Sequence, residues 1–392
     1  MSEAVADANN DVALLVNGVL YGGWLKLSVG AGINRFARDF SFGVTREWPD
    51  GLGELKNIRE GDLVEVRIGS DVVMTGYVDA TPVSYDAESV TVGVEGRSKT
   101  GDLIDCSATN KPAQWKGVTC AKIITDLAAE YQVQVKAEYD DREIIKEFHF
   151  ERGDTVFDCI DKLRKQRNLI VTDNGAGQVV IAKIGGLRAT DALALGKNIV
   201  SASCSKDFKE VFNEYVVIGQ KSNDGKAKAK ETNSEQVQKS EVFKRKRVLY
   251  IKQSGNADAR ACSDRAKYEA QSRFAKAHEI DLTVRGWRQS DGTLWQSNMI
   301  VPYDDPVMGL TREMLIVECD YTVDDGQVVH MKIGLPDGYS SEPYIPEKSK
   351  GQSKNPAKKS ANKRHAPAKG RKGRAQGGGV WSDVVGNDEV DQ

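Results

Sequence analysis

Hydrophobic and polar residues alternate along short stretches in the first hundred residues of the chain. Every second residue is apolar in Val64–Ile68 and again in Val90–Val94. A period of two predicts β-strands with one buried face. Turn residues such as Gly61-Asp62 separate these stretches, and short strands at close spacing favour a small barrel. We therefore predict a first β-barrel domain over residues 12–100, after a flexible N-terminus of residues 1–11.

A helical pattern replaces the alternation after residue 100. Apolar residues from Cys120 to Tyr131 recur at intervals of three and four, which places them on one face of a helix. Thr155 followed by Asp158 is a capping-box pattern, and it predicts the start of a second helix. Residues Asn168–Ile181 favour a hairpin that turns at Asn-Gly-Ala-Gly. These features predict a small α+β domain over residues 101–187.

The β-pattern returns in two separated segments, 188–220 and 280–340, which we predict to form a second β-barrel domain. Residues 221–279 lie between them as an insertion. Its polar part, Lys221–Ser240, predicts a loop. Its alanine-rich part, 257–277, predicts a helix on a surface or at a subunit contact. The thin apolar stripe of that helix consists of Cys262, Ala266, Ala270 and Phe274.

Two windows of the chain, Gly76–Gly96 and Leu315–Leu335, align side by side without gaps. Each window contains a strand, an acidic turn and a second alternating strand. This similarity favours two related β-barrels in one chain. The predicted fold class is therefore α+β and rich in β-structure, with two related barrels and inserted α+β domains.

The composition changes again near residue 341. Lys, Gly, Ala, Ser and Pro dominate residues 341–379, which predicts a basic, disordered linker that cannot bury a core. Residues 380–392 restore several valines and Trp381. An apolar patch beyond a flexible tether predicts a docking peptide.

The net charge of −2 conceals an asymmetry along the chain. Lys348–Arg374 carries eleven basic residues and no acid, so residues 1–347 hold 44 basic and 53 acidic residues, a net of −9. An acidic body argues against a nucleic-acid-binding core. The N-terminus has no export signal, no apolar run reaches membrane-spanning length, and six scattered cysteines favour reduced, buried thiols.

Motifs for catalysis or metal binding are missing from the sequence. The four histidines have no partner at metal-ligand spacing, and no phosphate-binding or nucleophile motif occurs. Paired acids such as Asp304-Asp305 stand beside turn residues, where Asp favours the backbone geometry. The basic run Lys244–Arg247 fits a charged strand edge better than a nucleic-acid contact. We predict no enzyme, and no catalytic, cofactor-binding or metal residue.

Several local strings resemble one known family. They are Trp48-Pro49, Glu95–Ser107, Ala257–Arg273, Val284–Trp295 and Asn298–Val301. In combination they are similar to the baseplate hub protein of Mu-like contractile phage tails. The resemblance covers roughly residues 12–340 and leaves out the basic tail.

This resemblance implies a structural virion component with no cofactor. Two β-barrels in each chain would pack around an axis in a homotrimer, whose ring adapts a hexameric tail tube to a trimeric spike. The genome would pass through the ring without specific binding, and assembly would occur in the bacterial cytoplasm. Two alternatives remain open: a hub-associated peptidoglycan-degrading enzyme, and a nucleic-acid-binding module that acts through residues 348–374.

Overall fold

A computed structural model describes most of the chain up to residue 339. The described residues are 10–21, 24, 26–47, 58–85, 89–139, 142–167, 169–220, 233–240, 242–256, 259–324 and 326–339. The chain divides into two units, 1–346 and 347–392. Several predicted segments lie outside the described residues. They are residues 1–9 of the flexible N-terminus, Trp48-Pro49, the basic linker and the docking peptide.

The described residues of the first β-region form eight strands. They are β1 (Val12–Val16), β2 (Val19–Tyr21), β3 (Lys26–Gly32), β4 (Asp39–Glu47), β5 (Leu63–Ile68), β6 (Asp71–Ala80), β7 (Val83–Tyr85) and β8 (Ser89–Ser98). The alternation predicted both the strands and their buried faces, since Val64, Val66 and Ile68 are fully buried. Gly69 turns β5 into β6 with a φ of +58°, a conformation that favours glycine.

The α+β region follows directly. It contains α1 (Gly101–Asp105), β9 (Gln114–Thr119), α2 (Cys120–Ala129), β10 (Val135–Ala137), β11 (Ile144–His149), α3 (Val156–Arg167), β12 (Ile170–Asp173) and β13 (Val179–Ala182). Strands β10, β13 and β12 form one small sheet, and β9 pairs with β11. Helix α2 buries Ile123, Ile124 and Leu127 on the predicted face, and the predicted hairpin is β12–β13.

The predicted capping box is formed at the start of α3. The backbone N–H of Asp158 donates to Thr155 Oγ1 at 3.0 Å, and the backbone N–H of Thr155 donates to Asp158 Oδ2 at 3.0 Å. Each side chain thus satisfies a backbone donor that the first helical turn leaves without an intrahelical partner.

The next part of the chain differs from the prediction. It contains β14 (Leu187–Arg188), β15 (Leu193–Ala194), β16 (Ile199–Ser203), β17 (Glu214–Gln220), β18 (Asn233–Lys239), β19 (Val248–Asn256) and α4 (Ala259–Lys276). Strands β18, β17 and β19 form a separate sheet. Residues 214–220 therefore belong to the insertion, and residues 233–239 form a strand where the sequence predicted a loop.

Strand β18 is polar, and it is held in place by its partner strand and not by burial of its own side chains. It pairs with the apolar β17 along its whole length, so backbone hydrogen bonds supply what its side chains do not. Helix α4 covers this sheet through Cys262 and Ala266, which pack with Val217. The predicted stripe is correct in its first half only, because Phe274 is 37% exposed while Ala275 is buried.

Four long strands complete the fold. They are β20 (Ile280–Arg285), β21 (Met299–Asp305), β22 (Leu310–Asp324) and β23 (Gly326–Gly334), followed by a 3-10 turn at Pro336–Gly338. Strand β22 pairs with β3 of the first β-region, and this contact creates one fifteen-stranded sheet. A single hydrophobic cluster spans both regions and includes Phe42, Trp287 and Trp295. The β-rich α+β fold class is confirmed.

Each of the two similar sequence windows contains an antiparallel strand pair, although the registers of the two pairs differ. Gly76–Gly96 lies in the antiparallel pair β6–β8, and Leu315–Leu335 lies in the antiparallel pair β22–β23. Aligned apolar positions are buried in both pairs. These positions are Val78 with Val317, Val92 with Met331, and Val94 with Ile333.

We expect Thr155→Ala to lower the free energy of unfolding by about 1 kcal/mol, because an N-cap hydroxyl is lost. Urea denaturation followed by circular dichroism measures the change. Thr125→Ala is the matched control, since the Thr125 hydroxyl donates to Ala121 O inside α2 and caps nothing. Its effect should stay within about 0.5 kcal/mol. Equal losses in the two variants would contradict the capping role.

Candidate functional site

The segment between β3 and β4, residues 33–38, contacts the first β-region, the α+β region and β22; we call it the junction segment. Ile33 packs with Ile170 of the α+β region and with Val317 of β22. Phe36 enters the core of the α+β region. Two arginines in the same segment, Arg35 and Arg38, hold buried or half-buried carboxylates.

Arg35 faces three carboxylates across the β3–β22 contact. Its Nη1 donates to Asp320 Oδ1 at 2.7 Å, and its Nη2 donates to Asp320 Oδ2 at 3.0 Å and Glu318 Oε2 at 3.1 Å. Nη1 also donates to Asp39 Oδ1 at 3.2 Å. The bidentate geometry with Asp320 is the strong form of this ion pair. Burial raises the pKa of the Asp320 carboxyl, although Arg35 opposes the shift.

Gly30 provides the space for the Arg35 guanidinium. A Cβ at Gly30 would overlap that guanidinium and lie 2.7 Å from Asp320 Oδ1 and 2.8 Å from Asp39 Oδ1. No positive φ is recorded at Gly30, so the demand for glycine comes from this close approach rather than from the backbone angle.

Arg38 makes the corresponding contact with the α+β region. Its Nε and its backbone N–H donate to the two oxygens of Asp173 at 3.2 and 3.0 Å, and its Nη1 donates to Val73 O at 2.8 Å. The Asp173 side chain is 2% exposed. Burial raises the pKa of its carboxyl, while Arg38 and Ser98 oppose the shift. Charge-assisted hydrogen bonds therefore fix the junction segment to β22, to β6 and to the α+β region.

One face of the large sheet is polar across eight consecutive strands, β16-β20-β23-β22-β3-β4-β8-β6. Residues in direct register on an antiparallel sheet share a face. One transverse row on this polar face consists of Ser201, Thr283, His330, Asp320, Gly30, Asp39, Arg97 and Tyr77. The next row consists of Arg285, Val328, Thr322, Ser28, Ser41, Glu95 and Ala80.

The opposite face of the same strands forms the hydrophobic core. Leu282, Met331, Val29, Phe40 and Val78 are all buried there. Because successive side chains point to opposite faces, the polar face and the core are set by the same strands. A substitution on the polar face can therefore change the chemistry of the surface without entering the core.

Carboxylates outnumber basic groups on and beside the polar face. Arg97 donates to Asp79 Oδ2 at 2.7 Å and to Asp105 Oδ2 at 2.6 Å. Arg35 has three acidic partners, and Asp281 and Glu95 add further negative charge. Lys26, Arg285 and Lys332 lie on the same face, so five basic groups stand against seven carboxylates, which leaves a small surplus of negative charge. The seven carboxylates are Asp39, Asp79, Glu95, Asp105, Asp281, Glu318 and Asp320.

Asp305, one of the paired acids, has a structural role. Asp305 is buried and accepts hydrogen bonds from Tyr303 Oη at 3.0 Å and from the backbone N–H groups of Val307 and Met308 at 2.8 and 3.1 Å. It stabilises the β21–β22 turn, as its sequence context predicted. Asp140-Asp141 and Asp325 lie outside the described residues.

The described part of the chain offers neither a metal centre nor a membrane-spanning helix. Among the residues that the structure describes, no group of three or more His, Cys, Asp or Glu could hold a metal ion. Within the same residues, no helix has the length and hydrophobicity needed to cross a membrane. None of the six cysteines, all of which lie among the described residues, forms a disulfide, and four of them are buried.

The basic run Lys244–Arg247 stands just before β19. Strand β19 is at the edge of the small β18-β17-β19 sheet, which agrees with a charged strand edge. Arg247 also has a packing role: its guanidinium lies 5.0 Å from the ring centre of Phe212 and 5.4 Å from that of Phe243.

Known proteins similar to this chain include phage tail components. Residues 11–98 match the N-terminal domain of Mu phage baseplate assembly protein GpP-like proteins, and residues 258–342 match the fourth domain of GpP. Residues 100–183 match the second domain of gp44-like baseplate hub proteins. Baseplate hub protein gp44 of Escherichia phage Mu is 31% identical over 342 residues, which cover 83% of this chain and 88% of gp44.

This chain belongs to the Mu-like baseplate hub family. The resemblance predicted from local strings is confirmed, and the hub chain is a structural component of a phage tail baseplate. A solved relative is the 43 kDa tail protein of prophage MuSo2 from Shewanella oneidensis, with 27% identity, a TM-score of 0.77, and coverage of 84% of this chain and 99% of that chain.

A second solved tail protein, from Neisseria meningitidis MC58, shares the fold of the hub chain. It is 21% identical with a TM-score of 0.73, covering 85% of this chain and 98% of that chain. The three matched family domains correspond to β1–β8, to the α+β region, and to the part from α4 through the 3-10 turn. In the hub chain the junction segment connects the first of these to the other two.

We expect Gly30→Ala to lower the free energy of unfolding of the hub chain by about 1–3 kcal/mol, because the added methyl group displaces the Arg35 guanidinium. Gly43→Ala on neighbouring β4 is the control, since its Cβ would meet only Lys26 Cβ at 4.0 Å. Urea titrations of both variants measure the difference. A Gly30→Ala variant as stable as Gly43→Ala would show that the Arg35 cluster does not support the β3–β22 contact.

Proposed function

We propose that three copies of this hub chain form a ring between tail tube and spike, and that the polar face lines the channel through which the genome leaves. The observation that carries this proposal is the continuous polar face of eight strands, which crosses both β-regions of one chain. The relatives named as baseplate hub proteins support the place of the chain in the tail.

The two β-regions of one chain support the match between threefold and sixfold symmetry. A trimer presents six similar surfaces only when each chain contributes two similar units. The aligned windows bury the same positions in β6–β8 and in β22–β23. On this proposal the two β-regions are related barrels, and their duplication lets a trimeric ring meet a hexameric tube.

The strand number supports a channel of useful width. Three copies of an eight-stranded arc make a cylinder of twenty-four strands. At about 4.8 Å per strand its circumference is roughly 115 Å and its backbone diameter roughly 37 Å, before strand tilt widens it. Side chains that extend about 5 Å from each wall leave an opening of roughly 27 Å, which admits a DNA duplex.

The chemistry of the polar face suits the passage of DNA. Surplus carboxylates repel phosphates, so DNA does not adhere to the wall. Arg35 and Arg97 are held by acidic partners on the same chain, which removes them as phosphate ligands. We infer that the chain is not an enzyme, because its relatives are named as baseplate hub proteins; a lytic band in a peptidoglycan zymogram would contradict this.

We expect a molar mass by light scattering of three times the 43.0 kDa of one chain. The mass should hold across micromolar concentrations, since a ring of three closes all its equivalent contacts. Averaged electron micrographs of the same sample should show threefold rings with six similar lobes. A mass of one chain throughout that range would overturn the proposed ring.

We expect Asp281→Lys to make the assembled ring retain linear duplex DNA at low salt, because three lysines then face the channel. A covalently closed DNA circle cannot thread a preassembled ring and should not be retained. Asp264→Lys is the control, because Asp264 is exposed on α4 outside the large sheet and its variant should treat both DNA forms alike. Equal retention of linear and circular DNA by the Asp281→Lys ring would contradict a lumen-facing position.

A further inference from the structure

The small sheet β18-β17-β19 is separate from the large sheet and has an open edge at β19. Strand β17 is the centre of this sheet, and β19 pairs with it in parallel along Val248–Lys252. Among the residues that the structure describes, no strand pairs with the outer side of β19. That side therefore presents backbone N–H and C=O groups that a further strand can use.

The face of the small sheet opposite α4 carries exposed apolar side chains. Helix α4 covers Val217, and successive residues of a strand point to opposite faces, so Val216 faces away from the helix. Val237 and Tyr250 are both in register with Val216. They are 48% and 67% exposed, whereas Val216 between them is buried. A strand added beside β19 would therefore place side chains next to the exposed ring of Tyr250.

The residues that lead into β19 make this edge basic. Lys244, Arg245 and Lys246 are exposed, and none of the three forms an ion pair with a described carboxylate. Lys252, on β19 itself, is a fourth exposed basic residue. A partner along this edge therefore meets four positive charges.

Positive charge is a property of this whole part of the chain. Among the described residues from 206 to 276, thirteen are Lys or Arg and six are Asp or Glu, a net of +7. The β19 edges of two copies would repel each other through these charges, because like charges on facing strands are destabilising. The occupant of the edge is therefore an acidic partner and not a second copy of the same edge.

The aromatic rings beside the basic run are covered by guanidinium groups of the same chain. Arg245 and Arg247 lie 5.5 and 5.4 Å from the ring centre of Phe243, and Arg247 lies 5.0 Å from that of Phe212. Single-stranded nucleic acid is bound by open ring faces together with positive charge. An open strand edge is matched instead by the backbone of an extended polypeptide.

We propose that the outer edge of β19 binds an extended, acidic segment of another protein as a fourth strand of the small sheet. The backbone of the segment pairs with β19, its carboxylates meet the basic run, and its apolar side chains pack beside Tyr250. Arg247 fixes the basic run, because its guanidinium lies over Phe212 and donates to Lys209 O. This contact does not depend on the proposed trimeric ring.

A labelled peptide tests the contact by fluorescence anisotropy on the full chain. The peptide has about ten residues, in which valine and glutamate alternate so that each type faces one side of the added strand. The unmodified chain should bind it saturably. Lys244→Glu/Lys246→Glu should weaken binding about tenfold or more, because two attractive charges become repulsive.

The matched control is Arg260→Glu/Lys267→Glu. Both residues are exposed on α4, and the double substitution changes the net charge by the same amount as the variant at the edge. It should alter the affinity for the peptide by less than about twofold, because it leaves the β19 edge unchanged.

A second peptide separates strand pairing from attraction by charge alone. Methylation of every backbone nitrogen keeps the carboxylates but removes the donors that a strand needs. The methylated peptide should bind about tenfold or more weakly. It also measures any attraction by the basic tail Lys348–Arg374, which needs charge and no strand.

The results distinguish the added strand from other uses of the same surface. Selective weakening by Lys244→Glu/Lys246→Glu, together with weaker binding of the methylated peptide, would support the proposal. It would be overturned by equal binding of the two peptides, by equal weakening in the two double variants, or by no saturable binding up to about 1 mM. Tighter binding of a labelled single-stranded oligonucleotide than of the peptide, lost in Lys244→Glu/Lys246→Glu alone, would also overturn it and assign the surface to nucleic acid.

Discussion

The β3–β22 pairing, over which the Arg35 ion cluster lies, joins the two β-regions of this chain into one sheet. Arg35 follows β3, and its bidentate partner Asp320 is on β22, 285 positions away in sequence. The β3–β22 pairing beneath this cluster is the direct strand contact between the two β-regions in the sheet order. Without this pairing, β3 and β22 would each become an open sheet edge, and the hydrophobic core that the two β-regions share would be exposed between them. The space left at Gly30 is what allows the guanidinium to occupy this position.

The cluster fixes register more than it adds stability. Burial raises the pKa of Asp320 and of Asp173 despite their arginine partners, so desolvation offsets much of the attraction within each pair. A one-residue slip of β22 against β3 would turn Asp320 into the core and leave Arg35 without its bidentate partner. The cost of such a slip selects the register in which the transverse rows of the polar face align.

Local features of the fold could be predicted from the sequence, and contacts between distant segments could not. The face of α2, the Thr155–Asp158 capping box and the β12–β13 hairpin depend on residues within one or two turns of each other. Alternation likewise indicates which face of a strand is buried, but it does not indicate which strand lies beside it. The partner of Arg35 and the separate sheet of β17 were missed for this reason.

The candidate site was harder to predict than the fold because it is a surface and not a motif. Its residues are serines, threonines, glycines and charges that are common on any solvated strand, and only the register of eight strands brings them into rows. On the proposed role as a channel wall, the aligned rows would explain how positive charge can be tolerated beside DNA. Arg35 and Arg97 are both held by carboxylates of their own chain, so neither guanidinium is free to act as a phosphate ligand.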